Sequence, residues 1–224
     1  MEGRGKVKII RLGVGPLAAN TYLLRDEASE AGAVIDPGTE GERIIRSCNK
    51  AHLRPLFIIN THGHIDHIGA NAALKEAFPD AALCIGTGDA GMLRNAVKNL
   101  AVLVGGGSIG PRADVLLEDG RVLEFGSVVL TVMATPGHTP GGICLLARDE
   151  VPPQLFCGDL IFHGDVGRTD LPGGSWAEML ASIRQKVFRL PDETVLWPGH
   201  GEETTVGEER HHNVYVQSDD SPVP

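Results

Sequence analysis

The chain of 224 residues lacks any apolar run approaching the roughly 18 residues of a membrane-spanning helix. Its opening, Met1-Glu2-Gly3-Arg4-Gly5-Lys6, lacks the apolar core of a secretory signal. Positive charge is short, with 20 Lys and Arg against 29 Asp and Glu, a net −9. That balance argues against a nucleic-acid partner and against a polybasic membrane surface. The four cysteines, Cys48, Cys84, Cys144 and Cys157, show no CxxC spacing, so a cysteine zinc cluster is not expected. They sit in apolar company and read as free buried thiols of a cytoplasmic protein. No Pro/Gly/Ser linker and no internal repeat divides the chain. Residues 1–216 therefore read as one domain, with a frayed tail at 217–224.

What is present is unusual in two respects. Glycine makes up 29 of the 224 residues, close to twice the usual share of about 7%. Nine histidines sit in an acidic chain. With 42% apolar residues there is ample material for a core.

The hydrophobic pattern predicts an α/β protein. Residues 7–12, 21–24 and 33–36 read as an antiparallel meander, and 56–60 as a fully buried strand. Helices are expected at 42–50 and 66–78. Residues 88–112 read as a loop-rich excursion, with a possible helix at 92–104 before Gly105-Gly106-Gly107. Five further strands fall between 115 and 157, with Asp119-Gly120 as a hairpin signal. Ser175-x-x-Glu178 and Thr205-x-x-Glu208 have capping-box spacing and open two last helices. Residues 194–197 read as a strand between them. Trp197 is expected in the core, and His52, His211 and His212 on the surface.

The sharpest chemical signal is Thr61-His62-Gly63-His64-Ile65-Asp66-His67, directly after the buried strand. A solvated polar loop accounts for one histidine, but poorly for three and an aspartate within six residues. Imidazole and carboxylate together suit a borderline divalent cation. In an extended loop His62 and His64 point the same way, while Asp66 and His67 enter a helix and point elsewhere. That arrangement suits two adjacent metal positions better than one. Four other strand ends carry one candidate ligand each in a glycine-containing turn: Asp36, His138, Asp159 and His200. Taken singly, each is as well explained by turn chemistry. Asp36 fits a turn or supporting role better than a ligand role.

The THGHIDH segment, with His138, Asp159 and His200 in that order, resembles the metallo-β-lactamase-fold hydrolases over about residues 7–214. The resemblance implies an αββα four-layer sandwich of two mixed β-sheets flanked by helices, with a metal site at one edge between the sheets. Asp159 stands where zinc β-lactamases usually have cysteine. Residues 158–162, 167–174 and 199–213 look like the short glyoxalase II-like branch, with Val214 where Pro is common. By that resemblance His62, His64 and His138 would hold one metal, Asp66, His67 and His200 a second, and Asp159 would bridge them. Two divalent ions are implied, zinc foremost, with iron or manganese admitted. The implied activity is hydrolysis of a small-molecule acyl thioester or related acyl bond by a metal-bridging hydroxide. Asp66 doubles as the residue that orients the hydroxide or takes its proton. Arg168 matches a substrate-contacting position, or else pairs with Asp170. His163 either lines the pocket or lies exposed.

Two departures bear on the substrate. Full-length glyoxalase II adds a helical C-terminal region that contacts glutathione, and Glu202 replaces an aromatic contact. Alternatives on the same scaffold are a persulfide dioxygenase holding one Fe(II) on His62, His138 and Asp159, and a non-catalytic metal-binding module. The His200-Gly201-Glu202 continuation disfavours the first, where His-Asp-Tyr is usual. Retention of all seven ligand-type residues disfavours the second.

Overall fold

The computed structural model describes residues 6–104 and 110–217. Two six-stranded sheets stack face to face. The first has the order β1 (Val7–Val14), β2 (Ala19–Asp26), β3 (Ala31–Ile35), β4 (Arg54–Asn60), β5 (Ala82–Gly86), β6 (Val115–Leu117). β1 to β3 are antiparallel and β3 to β6 parallel, so the sheet is mixed. The second sheet contains β7 (Val122–Phe125), β8 (Val128–Ala134), β9 (Ile143–Ala147), β10 (Gln154–Gly158), β13 (Val195–Pro198) and β14 (Thr204–Thr205). It is antiparallel except where β10 meets β13. A small hairpin, β11 (Ile161–Phe162) and β12 (Asp165–Val166), stands apart.

The helices cover the outer faces. The first sheet carries α1 (Gly41–Lys50), α2 (Ile65–Ile68) and α3 (Asn71–Ala77), and the second carries α4 (Trp176–Gln185) and α5 (Val206–His212). The αββα arrangement follows from strands buried on both faces. In β3, Ala33 and Ile35 point between the sheets while Val34 packs under the helices. In β9, Leu145 points inward while Cys144 and Leu146 face α4. Near-continuous apolar strands of this kind need cover on both sides. All four cysteines are free and buried. Trp197 packs edge-on against Tyr22, with ring centroids 5.8 Å apart, and donates from Nε1 to Gln154 Oε1 at 2.7 Å.

Both capping signals place helix starts. The Glu178 amide donates to Ser175 Oγ, and the Glu208 amide to Thr205 Oγ1. Three expectations are corrected. The helix expected over 66–78 is two, because the Ala70 amide donates to the Pro37 carbonyl and Gly69 packs against Gly38. Residues 92–104 form only short 3₁₀ turns, Met92–Arg94 and Ala101–Val104. There Asn95 Oδ1 accepts from the amides of Val97 and Lys98, and Leu100 adopts a φ of 65°, so the helical ladder is lost to side-chain competition. Asp119-Gly120 does turn the chain, but it leads from β6 in one sheet to β7 in the other rather than closing a hairpin. The expected tail beyond 217, and Gly105-Gly106-Gly107, lie outside the described residues.

Candidate metal centre

The loop after β4 carries His62 and His64, and α2 carries Asp66 and His67. His138 lies in the turn between β8 and β9. Asp159 follows β10 directly, and His200 follows β13. These strand ends converge where the sheets touch: the Ile143 amide donates to the Thr61 carbonyl at 2.9 Å. Two glycines permit the approach. Gly158 has a φ of +50° against Thr61, and a Cβ on Gly199 would stand 2.1 Å from Asp159 Oδ1.

The side chains fall into two triads. One donor atom each from His62, His64 and His138 lies within 4.8 Å of the others, and the same holds for Asp66, His67 and His200. Asp159 sits between the triads. Its Oδ1 is 3.5 Å from His67 Nε2, and its Oδ2 is 3.6 Å from both His138 Nε2 and His200 Nε2. The structure thus gathers all seven expected ligand-type residues in one place.

Hydrogen-bond partners behind four of the five rings set which nitrogen faces inward. His138 Nδ1 donates to the Arg168 carbonyl at 2.7 Å, and His200 Nδ1 to the Leu17 carbonyl at 3.1 Å. His67 Nδ1 donates to Asp36 Oδ2 at 3.1 Å, and His62 Nδ1 lies 3.1 Å from Thr61 Oγ1. Bonds of this kind behind a ligating imidazole set its tautomer and raise its basicity.

The atoms left facing inward fit a cation. His62 Nε2 and Asp159 Oδ1 are buried with no hydrogen-bond partner. Buried polar atoms are rarely left so without an ion or water to satisfy them. His64 Nδ1 points at His138 Nε2 at 2.9 Å, and His67 Nε2 at His200 Nε2 at 3.3 Å. At these separations each pair shares either a proton, as an N–H···N hydrogen bond, or a cation. Burial would lower His67, but the carboxylates of Asp159, Asp36 and Asp66 outweigh it and push the ring up to about 10. Burial and the neighbouring His138 bring His64 down to about 4. Burial likewise holds His62 well below its ordinary value. For Asp66, burial is outweighed by the His200 hydrogen bond and the His67 charge, so its carboxyl lies far below the usual range. An all-nitrogen triad beside a carboxylate-containing one suits zinc or iron.

Other expected residues fall differently. Asp36 supports rather than joins the triads: it accepts from the Thr61 amide, the Thr61 hydroxyl and His67. It is also grouped with His62 and His67 by distance, but its oxygens already have donors. The Arg168 guanidinium holds Asp170 through two bonds of 2.7 and 2.6 Å and is exposed. Its carbonyl is what reaches the site. His163 is exposed, as are His211 and His212.

Asp89 was not legible as a site residue. It is fully buried after β5. Its carboxylate accepts from the Gly63 amide at 2.9 Å, the Thr139 hydroxyl at 2.7 Å and the Gly141 amide at 2.7 Å. It therefore ties the His62–His64 loop to the His138 turn. Burial raises its carboxyl above the ordinary value, against the pull of these bonds. The sequence signal was only an aspartate beside a glycine in an otherwise unassigned loop.

Comparison with known proteins adds the following. The family model described as "Metallo-beta-lactamase superfamily" matches residues 14–200. A hydroxyacylglutathione hydrolase, GloC, of Haemophilus influenzae is 33% identical over 205 residues, covering 89% of this chain and 93% of that protein. The crystal structure of BLEG-1 B3 metallo-beta-lactamase superposes with a TM-score of 0.88 at 34% identity, over 94% of this chain and 100% of that one. The structure of TTHA1623 in a di-iron-bound form superposes with a TM-score of 0.81 at 36% identity, over 92% and 99%.

Proposed function

The chain belongs to the metallo-beta-lactamase superfamily, and from that premise we propose that it is a metal-dependent, glyoxalase II-like hydrolase of a small acyl thioester or related acyl compound. The observation that carries this reading is Asp159, within 3.6 Å of ring nitrogens from both triads and with one buried oxygen unpartnered. His62, His64 and His138 would hold one divalent ion, and Asp66, His67 and His200 a second, with Asp159 reaching both. Zinc is our first choice, with iron or manganese also admitted by the donor set. Two such ions lower the pKa of bound water toward neutrality and polarise a carbonyl.

The chain's own residues supply the rest. Asp36 fixes His67 directly and His62 through Thr61, so the ring nitrogens are aimed before substrate arrives. Asp66, ionised and partly exposed, orients the attacking water and accepts a hydrogen bond from it. Arg168 offers its charge to an anionic group of the substrate in exchange for Asp170. The reaction consumes one water, breaks the acyl C–S bond, forms a C–O bond and releases a carboxylic acid and a thiol. A thiolate of ordinary pKa near 8.5 leaves without a dedicated acid.

Support comes from the GloC relative and from a di-iron-bound neighbour at 36% identity. The four buried free thiols favour the cytoplasm. Among the described residues no helix is long and apolar enough to cross a membrane. The test pairs metal analysis with three assays on the purified chain: a thioester, a β-lactam and glutathione persulfide. We expect two metals per chain and thioester hydrolysis. One iron with O₂ consumption on the persulfide, or preferential β-lactam cleavage, overturns the reading. His138→Ala and Asp159→Ala should each abolish turnover while the chain still folds.

A further inference from the structure

Beside the second triad lies a cleft that the chemistry above leaves unused. It encloses about 250 Å³ and is lined chiefly by Val14, Pro16, Leu17, Thr39, Ile65 and Asp66. Its position is tied to the reacting centre at two points. The Leu17 carbonyl accepts from His200 Nδ1, and the Asp66 carboxylate lies 3.3 Å from His200 Nε2. Apart from Asp66, the Thr39 hydroxyl is the one polar side-chain group among these residues, and it has no hydrogen-bond partner. No lining residue is cationic. Leu17 stands 57% exposed at the rim, so an occupant would cover it.

These walls discriminate between the two halves of a thioester. Polar thiol carriers present carboxylates, phosphates or amides. Such groups would meet an apolar wall whose one hydroxyl, on Thr39, is itself buried. Burying them there costs free energy that nothing repays. An alkyl chain meets no such cost and covers Val14, Pro16, Leu17 and Ile65. At about 30 Å³ per water-sized unit, the cleft takes roughly eight such units.

Resting on the hydrolase reading above, we propose that this cleft receives the acyl half of the substrate and selects an apolar acyl chain of up to about eight carbons over a short hydroxyacyl group. The probes are S-acyl-N-acetylcysteamine thioesters from acetyl to decanoyl, with the lactoyl thioester as the hydroxyacyl member, assayed on the metal-loaded chain. The leaving thiol is constant across this series. We expect kcat/KM to rise about fourfold per added methylene, the equivalent of about 0.8 kcal/mol, and to level off near eight carbons. Leu17→Asp places a charge in the wall but keeps the backbone carbonyl that holds His200. It should flatten the rise with metal content unchanged. Acetyl thioesters of lengthening alkyl thiols should show no comparable rise.

A profile that is flat, that falls with length, or that is best for lactoyl overturns this inference while the hydrolase reading stands. A rise confined to the alkyl-thiol series overturns the assignment of the acyl half. Absence of hydrolysis of any member overturns the hydrolase reading and this inference with it.

Discussion

Replacing Asp89 with asparagine tests whether the triads are held from behind. The carboxylate serves three donors: Oδ2 takes the Gly63 amide and the Thr139 hydroxyl, and Oδ1 takes the Gly141 amide. An asparagine can put its oxygen at the Oδ2 position and keep two of these bonds. Its NH₂ then faces the Gly141 N–H at 2.7 Å, donor against donor. Flipping the amide moves the conflict to Gly63. One buried donor is left unsatisfied either way, at about 1–3 kcal/mol. Part of that loss is offset, because burial already disfavours the charge on Asp89 and the neutral amide escapes it. We expect a modest stability loss of about 1 kcal/mol in urea unfolding. The larger effect should fall on the His62–His64–His138 triad, whose two loops Asp89 joins. Loss of a partner bonded directly to a ligating side chain costs about 10–100-fold in metal affinity. Asp89 acts one step further back, through the two loops, so we expect the low end, about tenfold. Competition against a chromophoric chelator should therefore show one of two binding steps weakened by that factor and the other unchanged. Two unchanged steps in a chain that is destabilised as expected would refute the reasoning, as would equal weakening of both.

Three further outcomes follow from the rest of the fold. Burial pushes the thiols of Cys48, Cys84 and Cys144 up to about 12 and Cys157 well above its ordinary value, so native protein at pH 8 should not react with a disulfide reagent, and four thiols should appear on denaturation. Rapid reaction of any one in the native state would contradict this packing. Asp26 is buried, which alone would raise its carboxyl, but hydrogen bonds from Ser127 and Ser29, each 2.6 Å, hold it below the ordinary value. Its contribution to stability is therefore present above about pH 4 and lost as pH falls through the lowered pKa. Asp26→Asn should lose less stability on acidification than the parent chain, measured as the difference in urea midpoint between pH 7 and pH 3. Ser175→Ala removes the N-cap of α4, whose bond is long at 3.4 Å, and should cost about 0.5–1 kcal/mol in the same assay.

What the sequence made legible depended on how local the cause was. β3, β4, β9 and β10 were visible because burial on both faces leaves apolar runs with breakers at each end, and β1 because it alternates, whereas the two-residue β11, β12 and β14 leave no such pattern. Which sheet a strand joins was not visible. Asp119-Gly120 turns the chain in the same way whether the next strand stays in the sheet or leaves it. The break at Gly69 and Ala70 lay beyond sequence reasoning, because its cause is the carbonyl of Pro37, more than thirty residues earlier. The loss of helix over 92–104 was written locally in Asn95 and Asn99 but was outweighed by the apolar pattern around them. In the site, His62, His64, Asp66 and His67 were legible as a dense cluster directly after a buried strand, and His138, Asp159 and His200 because each follows a strand in a glycine-containing turn. Asp89 was not, since its partners lie 26, 50 and 52 residues away and nothing nearby marks them.

The central claim is that two metal ions, held by the two triads and shared by Asp159, carry a hydrolytic reaction. Titrating metal-free chain with Zn²⁺ while following hydrolysis of S-acetyl-N-acetylcysteamine tests it most directly. The account predicts no turnover without metal and activity that saturates at two equivalents per chain. Saturation at one equivalent, or turnover that survives complete metal removal, would contradict it.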